Sequence, residues 1–212
     1  MKVKICGLTN KEDALWSANF GADYLGFNFW KESPRYISVG TVNKWIHELP
    51  PFAQKVGIFV DEESKNILKV VQVLKLQGIQ LHGSESANFV EELKKMFLDN
   101  NLKTFIIKAF RVKDESIFSL LGEYSNSVDF FLLDTFDANQ MGGTGKVFDW
   151  NLALQVKDLG KPFFLAGGLT PDNVKEVKKK IDPYAADVSS GVEAKLRHKD
   201  IDKVKEFIRN AK

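Results

Sequence analysis

Short runs of β-branched, aromatic and other apolar residues alternate along the chain with longer segments in which apolar residues recur at helical spacing. This alternation is typical of a parallel sheet whose strands are connected by helices. A segment of helical pattern follows each predicted strand, so the sequence indicates eight β–α units. The predicted strands are 3–6, 24–29, 55–60, 78–81, 104–110, 130–133, 163–166 and 185–188.

Local signals mark several of the helix boundaries. Asn10 is a good N-cap residue and is followed by acidic residues in what would be the first helical turn. These signals predict a helix from Asn10 to about Phe20. Pro171 suits the first turn of the helix after the seventh strand, because the N–H that proline lacks is unpaired in that position. The helix around 117–121 is the shortest, and the next one is predicted to begin near Asp149.

Eight units in 212 residues fit a compact (β/α)8 barrel, the TIM barrel of the α/β class, with 1–212 as a single domain. A doubly wound sheet is the alternative, but that architecture usually ends at five or six strands. The sequence contains no Gly-x-Gly-x-x-Gly after a strand, no P-loop and no linker. The barrel is therefore favoured, and its chemistry is expected where the strands end.

Composition and charge narrow the function classes. The chain is 44% hydrophobic with a net charge of +2, and its basic residues are scattered, so nucleic acid is not an expected partner. No apolar run is long enough for a membrane span, and the N-terminus is too short and too charged for a secretory signal. One cysteine excludes an internal disulfide. These features predict a cytoplasmic protein.

Small residues follow the last two predicted strands and suggest a phosphate site. Gly167 and Gly168 follow the seventh strand, and Ser189, Ser190 and Gly191 follow the eighth. Glycines let the backbone approach an anion, serine hydroxyls add donors, and a short helix after strand eight would direct its positive end at the ligand. Taken alone, the two glycines could form a tight turn and the two serines a helix N-cap. Because both motifs lie in adjacent loops of the barrel, a phosphate-binding site is favoured.

Two ionisable side chains at predicted strand ends are candidates for acid–base chemistry. Cys6 ends the first strand, where a base would have to be a thiolate of lowered pKa; a lone cysteine is otherwise a small buried apolar residue. Asp134 follows an apolar strand, and such surroundings raise a carboxyl pKa and suit a general acid. The alternative for Asp134 is a helix N-cap.

The histidines and one glycine-rich segment are less informative. His82 ends the fourth strand and could also be a hydrogen-bonded rim residue, while His47 and His198 are expected at the surface. The three histidines are too dispersed to indicate a metal site, so none is predicted. The segment 142–145 reads either as a lid or as a turn.

Eight motifs spread along nearly the whole chain resemble the phosphoribosylanthranilate isomerase family. One such motif would carry little weight, whereas eight in the family's order are specific. They are Lys4–Thr9, Ser33–Arg35, Gly57–Val60, Gln80–Gly83, Leu133–Thr135, Gly142–Gly145, Leu165–Leu169 and Asp187–Glu193.

The resemblance implies an Amadori rearrangement in tryptophan biosynthesis, from N-(5-phosphoribosyl)anthranilate to 1-(2-carboxyphenylamino)-1-deoxyribulose 5-phosphate, without metal or cofactor. It implies that Asp134 protonates the furanose ring oxygen and that Cys6 removes the C2 proton. Arg35 would grip the anthranilate carboxylate, a role that suits its planar donor fork. His82 and Asp187 would lie near the substrate, with roles left open.

Other readings and one departure from the family pattern remain. The segment 194–198 departs from the family, so its conformation is open. Another phosphosugar barrel enzyme is possible, and an indole-forming one would need a catalytic lysine, for which Lys108 is the candidate. A barrel that only binds phosphate is the non-enzymatic alternative. Both a monomer and a homodimer are compatible with the sequence.

Overall fold

The predicted strands form one closed parallel barrel in the computed structural model, which describes residues 1–112, 114–134, 150–158 and 160–212. Neighbouring strands pair in chain order, and the first strand pairs with the eighth. The predicted (β/α)8 barrel is therefore confirmed. The strands are β1 (Lys2–Ile5), β2 (Tyr24–Asn28), β3 (Gln54–Phe59), β4 (Gly78–Leu81), β5 (Phe105–Arg111), β6 (Phe130–Asp134), β7 (Phe163–Ala166) and β8 (Ala185–Val188).

A helix lies after each of these strands, with a short antiparallel hairpin inserted before the last helix. The hairpin strands are β9 (Glu193–Lys195) and β10 (His198–Lys199). Single 3₁₀ turns occupy Ile46–Glu48 and Ser190–Val192. The helices are α1 (Lys11–Asn19), α2 (Val39–Asn43), α3 (Ser64–Leu74), α4 (Ala87–Asp99), α5 (Ile117–Tyr124), α6 (Trp150–Asp158), α7 (Val174–Lys180) and α8 (Ile201–Ala211).

Most predicted boundaries agree with these to within a few residues, and the main error concerns Pro171. This proline lies in a turn before α7, which begins three residues later at Val174. The Asn173 side chain stabilises that turn, because its oxygen accepts from Thr170 N and its amide donates to Gly168 O. The predicted helix start near Asp149 and the segment 142–145 lie outside the described residues.

Successive strand residues face alternately into the barrel and out toward the helices, which gives the interior a layered composition. At the N-terminal end of the strands, aromatic rings form a closed cycle with centroids 5.2–5.9 Å apart. They belong to Tyr24, Phe105, Phe130 and Phe164. Apolar residues such as Ile107 and Leu132 follow. The C-terminal end of the interior is polar, so the site lies there.

The helices form a second layer that is packed around the barrel. Each of the longer ones buries an apolar stripe, as α3 does with Ile67, Val71 and Leu74. Within the described part of the chain, no helix is long and apolar enough to cross a bilayer.

Candidate active site

A single cavity of about 470 Å³ at the C-terminal end of the barrel brings together every residue predicted for the site. This volume lies in the usual range for pockets that bind small molecules. The predicted residues on its wall are Cys6, Arg35, His82, Asp134, Gly167, Gly168, Asp187, Ser189, Ser190 and Gly191. Residues from the ends of different strands thus face one another across one volume.

Cys6 lies directly after β1 and is held by a hydrogen bond from its backbone N to Val188 O, 2.8 Å long. Burial raises the pKa of its thiol, Lys4 and Lys199 lower it, and Asp187 raises it, with a net rise. A thiolate base is favoured by a lowered pKa, and the net effect of these groups is in the opposite direction. Two lysines nevertheless favour the thiolate.

Gly7, the next residue, explains how other groups come so close to Cys6. Its φ of 72° lies in the left-handed region, which favours glycine. A Cβ at this position would collide with the side chains of Arg35 and Ser189. The glycine therefore lets the side chains of Arg35 and Ser189 pack against the backbone next to Cys6.

Asp134 is the last residue of β6, opposite Ala166 of β7 in the strand register. Its side chain is about a quarter exposed and lines the cavity. The Oδ2 atom lies 3.6 Å from Nε2 of His82, so the two side chains form an ion pair whenever the imidazole is protonated. His82 Nδ1 in turn lies 2.8 Å from Nε2 of Gln80. His82 is therefore a partner of the predicted acid.

Arg35 is anchored by a carboxylate of the hairpin after β8. Its Nε and Nη2 donate to the two carboxylate oxygens of Glu193 over 2.8 and 2.7 Å. Lys199 also donates to Glu193, at 3.3 Å. Burial alone would raise the pKa of Glu193, but the hydrogen bonds from Arg35 and the charge of Lys199 lower it overall. One edge of the guanidinium is thus occupied, and no hydrogen bond to another described residue uses Nη1.

The segment 194–198, which departs from the family pattern, spans the end of β9, a two-residue turn at 196–197 and the start of β10. Arg197 takes a φ of 73° at this turn, and its carbonyl accepts from Thr9 Oγ1. The backbone N of Lys199 donates to Asp13 in α1 over 2.8 Å. The hairpin is therefore fixed at the rim, where it places Glu193 and Lys199 beside Arg35 and Cys6.

The two predicted phosphate loops pack against each other. Gly167 and Gly168 have φ values of 94° and 64°, and the space beside the Cα of Gly168 is open. Gly191 has to be small, because a Cβ there would collide with the carbonyl oxygen of Leu169. The expected short helix after β8 is a single 3₁₀ turn, too short for a substantial helix dipole.

Buried polar atoms without partners lie on the same wall. Among the described residues, Ser189 Oγ and Asp187 Oδ1 are buried and have no hydrogen-bond partner. Burying such groups is costly unless a ligand or water pairs them. The other carboxylate oxygen, Asp187 Oδ2, accepts from Lys4 over 2.8 Å. Ser189 and Asp187 therefore offer hydrogen-bonding capacity to a polar ligand.

Four residues that were not predicted from the sequence contact the predicted site residues, namely Lys4, Gln80, Glu193 and Lys199. A signal for the first two was present, because strand residues two apart share a face. Lys4 therefore shares the face of Cys6, and Gln80 the face of His82. The contacts of Glu193 and Lys199 join distant segments, and no local pattern indicates them.

The candidate lysine of an indole-forming enzyme lies on the wrong face. Lys108 is buried between the barrel and the helices, where its Nζ donates to Glu85 Oε2 at 2.9 Å and to Gly83 O at 2.8 Å. It does not line the cavity. Among the described residues, no group of three or more His, Cys, Asp and Glu side chains could hold a metal ion.

Comparison with known proteins gives a consistent result. The family model of N-(5'-phosphoribosyl)anthranilate isomerase matches residues 3–210. A relative of that name from Trichlorobacter lovleyi is 44% identical over 212 residues, which is 100% of this chain and 98% of the relative. A crystal structure of phosphoribosyl anthranilate isomerase from Thermotoga maritima shares 43% identity with a TM-score of 0.87, covering 100% of this chain and 98% of that one.

A second similar solved structure is a complex with a ligand. It is a phosphoribosyl anthranilate isomerase in complex with reduced 1-(o-carboxyphenylamino)-1-deoxyribulose 5-phosphate. Its identity to this chain is 41% and its TM-score 0.85, over 100% of this chain and 98% of that one.

Proposed function

This chain belongs to the N-(5'-phosphoribosyl)anthranilate isomerase family, and from that premise we propose how its cavity performs the reaction. The enzyme is an isomerase of tryptophan biosynthesis that converts N-(5-phosphoribosyl)anthranilate into 1-(2-carboxyphenylamino)-1-deoxyribulose 5-phosphate. One observation supports the assignment of roles above all others. A thiol, a carboxyl group, an arginine and a pair of glycine- and serine-rich loops line one cavity.

Asp134 is the general acid in this proposal. It protonates the furanose ring oxygen, and the ring opens to an iminium ion. His82 directs Nε2 toward the Asp134 carboxyl group from 3.6 Å, which is too long for a hydrogen bond but close enough for electrostatic stabilisation of the carboxylate after the proton has left. The position of Asp134 at a strand end, facing the cavity, supports this role.

Cys6 is the general base and removes the proton from C2, which gives an enolamine that tautomerises to the aminoketose. Only the thiolate can do this. Burial disfavours that form, and the positive charges of Lys4 and Lys199 favour it. The iminium ion adds a positive charge close to the thiol and favours it further. The thiolate form of Cys6 is thus most favoured after the furanose ring has opened.

The two ends of the substrate are held by different parts of the rim. We place the phosphate on Gly167, Gly168, Ser189, Ser190 and Gly191, where the unpaired Ser189 hydroxyl offers a donor. Arg35 would bind the anthranilate carboxylate with its Nη1 end, while Glu193 keeps the guanidinium in position.

Asp187 Oδ1 would accept from a sugar hydroxyl. The whole chain, 1–212, would act as one catalytic domain in the cytoplasm, as a monomer or a homodimer.

Turnover of N-(5-phosphoribosyl)anthranilate, followed as the loss of its fluorescence, tests the proposal. We expect Cys6→Ala and Asp134→Asn to lower kcat by at least ~10²-fold each, the usual contribution of a general acid or base. Asp172→Asn is a matched control, because Asp172 is exposed in the turn before α7 and does not line the cavity.

The activity of the control variant Asp172→Asn should equal that of the unmodified enzyme. Wild-type rates in both folded variants would contradict the assigned roles, and a complete lack of turnover in the unmodified protein would leave only a phosphate-binding barrel.

A further inference from the structure

Lys4 is a fully buried lysine inside the barrel that the acid–base scheme does not use. Its exposed fraction is 0%, and its Nζ donates to Gln80 Oε1 and to Asp187 Oδ2, each over 2.8 Å. Lys4 Nζ lies 2.8 Å from Asp187 Oδ2, and this ion pair raises the pKa of Lys4 overall although burial alone would lower it, so the side chain is a cation. A buried cation is costly, so its retention in this layer needs a reason.

The first consequence of this cation is the orientation of an amide. An ammonium group has only donors, so the oxygen of Gln80 must face Lys4 and its NH₂ group must face the other way. That NH₂ group lies 2.8 Å from Nδ1 of His82. Nδ1 must therefore accept, and the neutral imidazole carries its proton on Nε2. Nε2 is the atom that faces Asp134, at 3.6 Å.

The second consequence concerns the charges around Cys6. Lys4 lies two residues before Cys6 on the same face of the chain, and its positive charge lowers the pKa of the Cys6 thiol. Lys199 and Arg35 also face the thiol from the rim, while Asp187 opposes them from β8. Lys4 is the cation with the largest influence on the thiol. It is thus connected both to the proposed base and, through two side chains, to the proposed acid.

We propose that Lys4 is a positioning residue for both ends of the reaction. Through Gln80 it holds His82 in the tautomer whose Nε2–H points toward Asp134, and beside Cys6 it places a fixed positive charge. The inference rests on the proposed roles of Cys6 and Asp134. Its two main tests, thiol alkylation and the tautomer of His82, need no substrate, so they can fail or succeed independently of turnover.

Because Cys6 is the one cysteine of the chain, alkylation by iodoacetamide reports on this thiol alone. We expect Lys4→Met to move the pH profile of alkylation to higher pH and to slow the reaction at pH 7 by about 10-fold, because the thiolate loses a buried positive charge that favours it. Lys2→Met is the matched control. Lys2 lies on the same strand and pairs with Asp23 at 2.8 Å, but it is exposed. Its profile should equal that of the wild type.

The tautomer of His82 gives a spectroscopic readout. The measurement is made at about pH 8.5, which is above the ordinary pKa of a histidine, so that the imidazoles are neutral. The ¹⁵N chemical shifts of His82 should then show the proton on Nε2 in the wild type and in Lys2→Met. His82→Gln assigns the signals among the three histidines. In Lys4→Met the Gln80 amide loses its fixed orientation, so we expect a mixture of both tautomers.

Gln80→Leu keeps the Lys4–Asp187 pair and tests the histidine connection if Lys4→Met does not fold. It should mix the tautomers and lower kcat more than it raises KM, with the alkylation profile unchanged. The proposal is wrong if wild-type His82 carries its proton on Nδ1, or if Gln80→Leu keeps the wild-type tautomer. A folded Lys4→Met with a wild-type alkylation profile and tautomer also overturns it.

Discussion

Two buried lysine–carboxylate pairs of similar geometry lie on opposite faces of the barrel wall. Lys4 and Asp187 are 2.8 Å apart inside the barrel, and Lys108 and Glu85 are 2.9 Å apart between the barrel and the helices. All these side chains are at least nine-tenths buried. The distances alone therefore do not distinguish the pairs.

The difference lies in the remaining hydrogen bonds of the carboxylates. Both oxygens of Glu85 are used, because they also accept from the backbone N atoms of Gly83 and Asp61. Among the described residues, none donates a hydrogen bond to Asp187 Oδ1, and Asp187 lines the cavity. A fully satisfied pair stabilises a loop, whereas an incompletely satisfied pair keeps capacity for a ligand. The comparison predicts opposite effects for the same chemical change.

The largest effect is expected for Glu85→Gln. An amide cannot accept at both ends, so Lys108 and the neighbouring N–H groups lose partners that burial makes necessary. We expect a loss of about 3 kcal/mol in the free energy of unfolding, the range for breaking a buried pair. Urea denaturation measures it.

The double variant Lys108→Met/Glu85→Leu is the control for Glu85→Gln. It removes both charges and should cost clearly less. An unchanged urea midpoint in Glu85→Gln would show that the outer pair does not stabilise the protein.

Asp187→Asn makes the same change in the inner pair, with an effect mainly on activity. The amide keeps an oxygen for Lys4 but can no longer offer a carboxylate to the substrate. We expect kcat/KM to fall by at least ~10-fold, about 1.4 kcal/mol of transition-state binding. Fluorescence-monitored kinetics measure it, with urea denaturation alongside.

Glu85→Gln should show the reverse pattern, with a larger loss of stability and a smaller loss of kcat/KM. A greater loss of activity in Glu85→Gln than in Asp187→Asn would remove the functional distinction between the pairs.

The two pairs also show what a sequence reveals about such a protein. The barrel could be predicted because helical and strand periods repeat along the chain, and Cys6 and Asp134 because they end predicted strands. Lys108 could be identified as a candidate catalytic lysine, but the sequence does not show whether it faces the barrel interior. In a buried parallel strand both faces are apolar, so a continuous apolar run does not reveal which residues point inward. The register resolves this, because Ile107 is an interior residue of the barrel and Lys108 follows it.

Contacts that join distant segments could not be predicted. Arg35 meets Glu193 across 158 positions of the chain, and Lys4 meets Asp187 across 183. Nothing local to Arg35 indicates that a hairpin after β8 will supply its carboxylate. Strand ends are encoded by nearby residues, but the partners of a side chain at the rim depend on closure of the whole barrel.

The smallest effect is expected where both side chains of a pair are largely exposed. Arg209 and Glu206 are 3.2 Å apart on the outer surface of α8, with side chains 73% and 50% exposed. Arg209→Gln removes the charge while keeping nearly the same helix propensity. Water screens such a pair, so we expect a loss of only about 0.2–0.5 kcal/mol in the free energy of unfolding, and no change in kcat/KM. Urea denaturation in low and high salt measures it, since an exposed pair should lose its contribution as salt increases. A loss as large as that of Glu85→Gln would mean that burial is not what separates stabilising pairs from neutral ones in this protein.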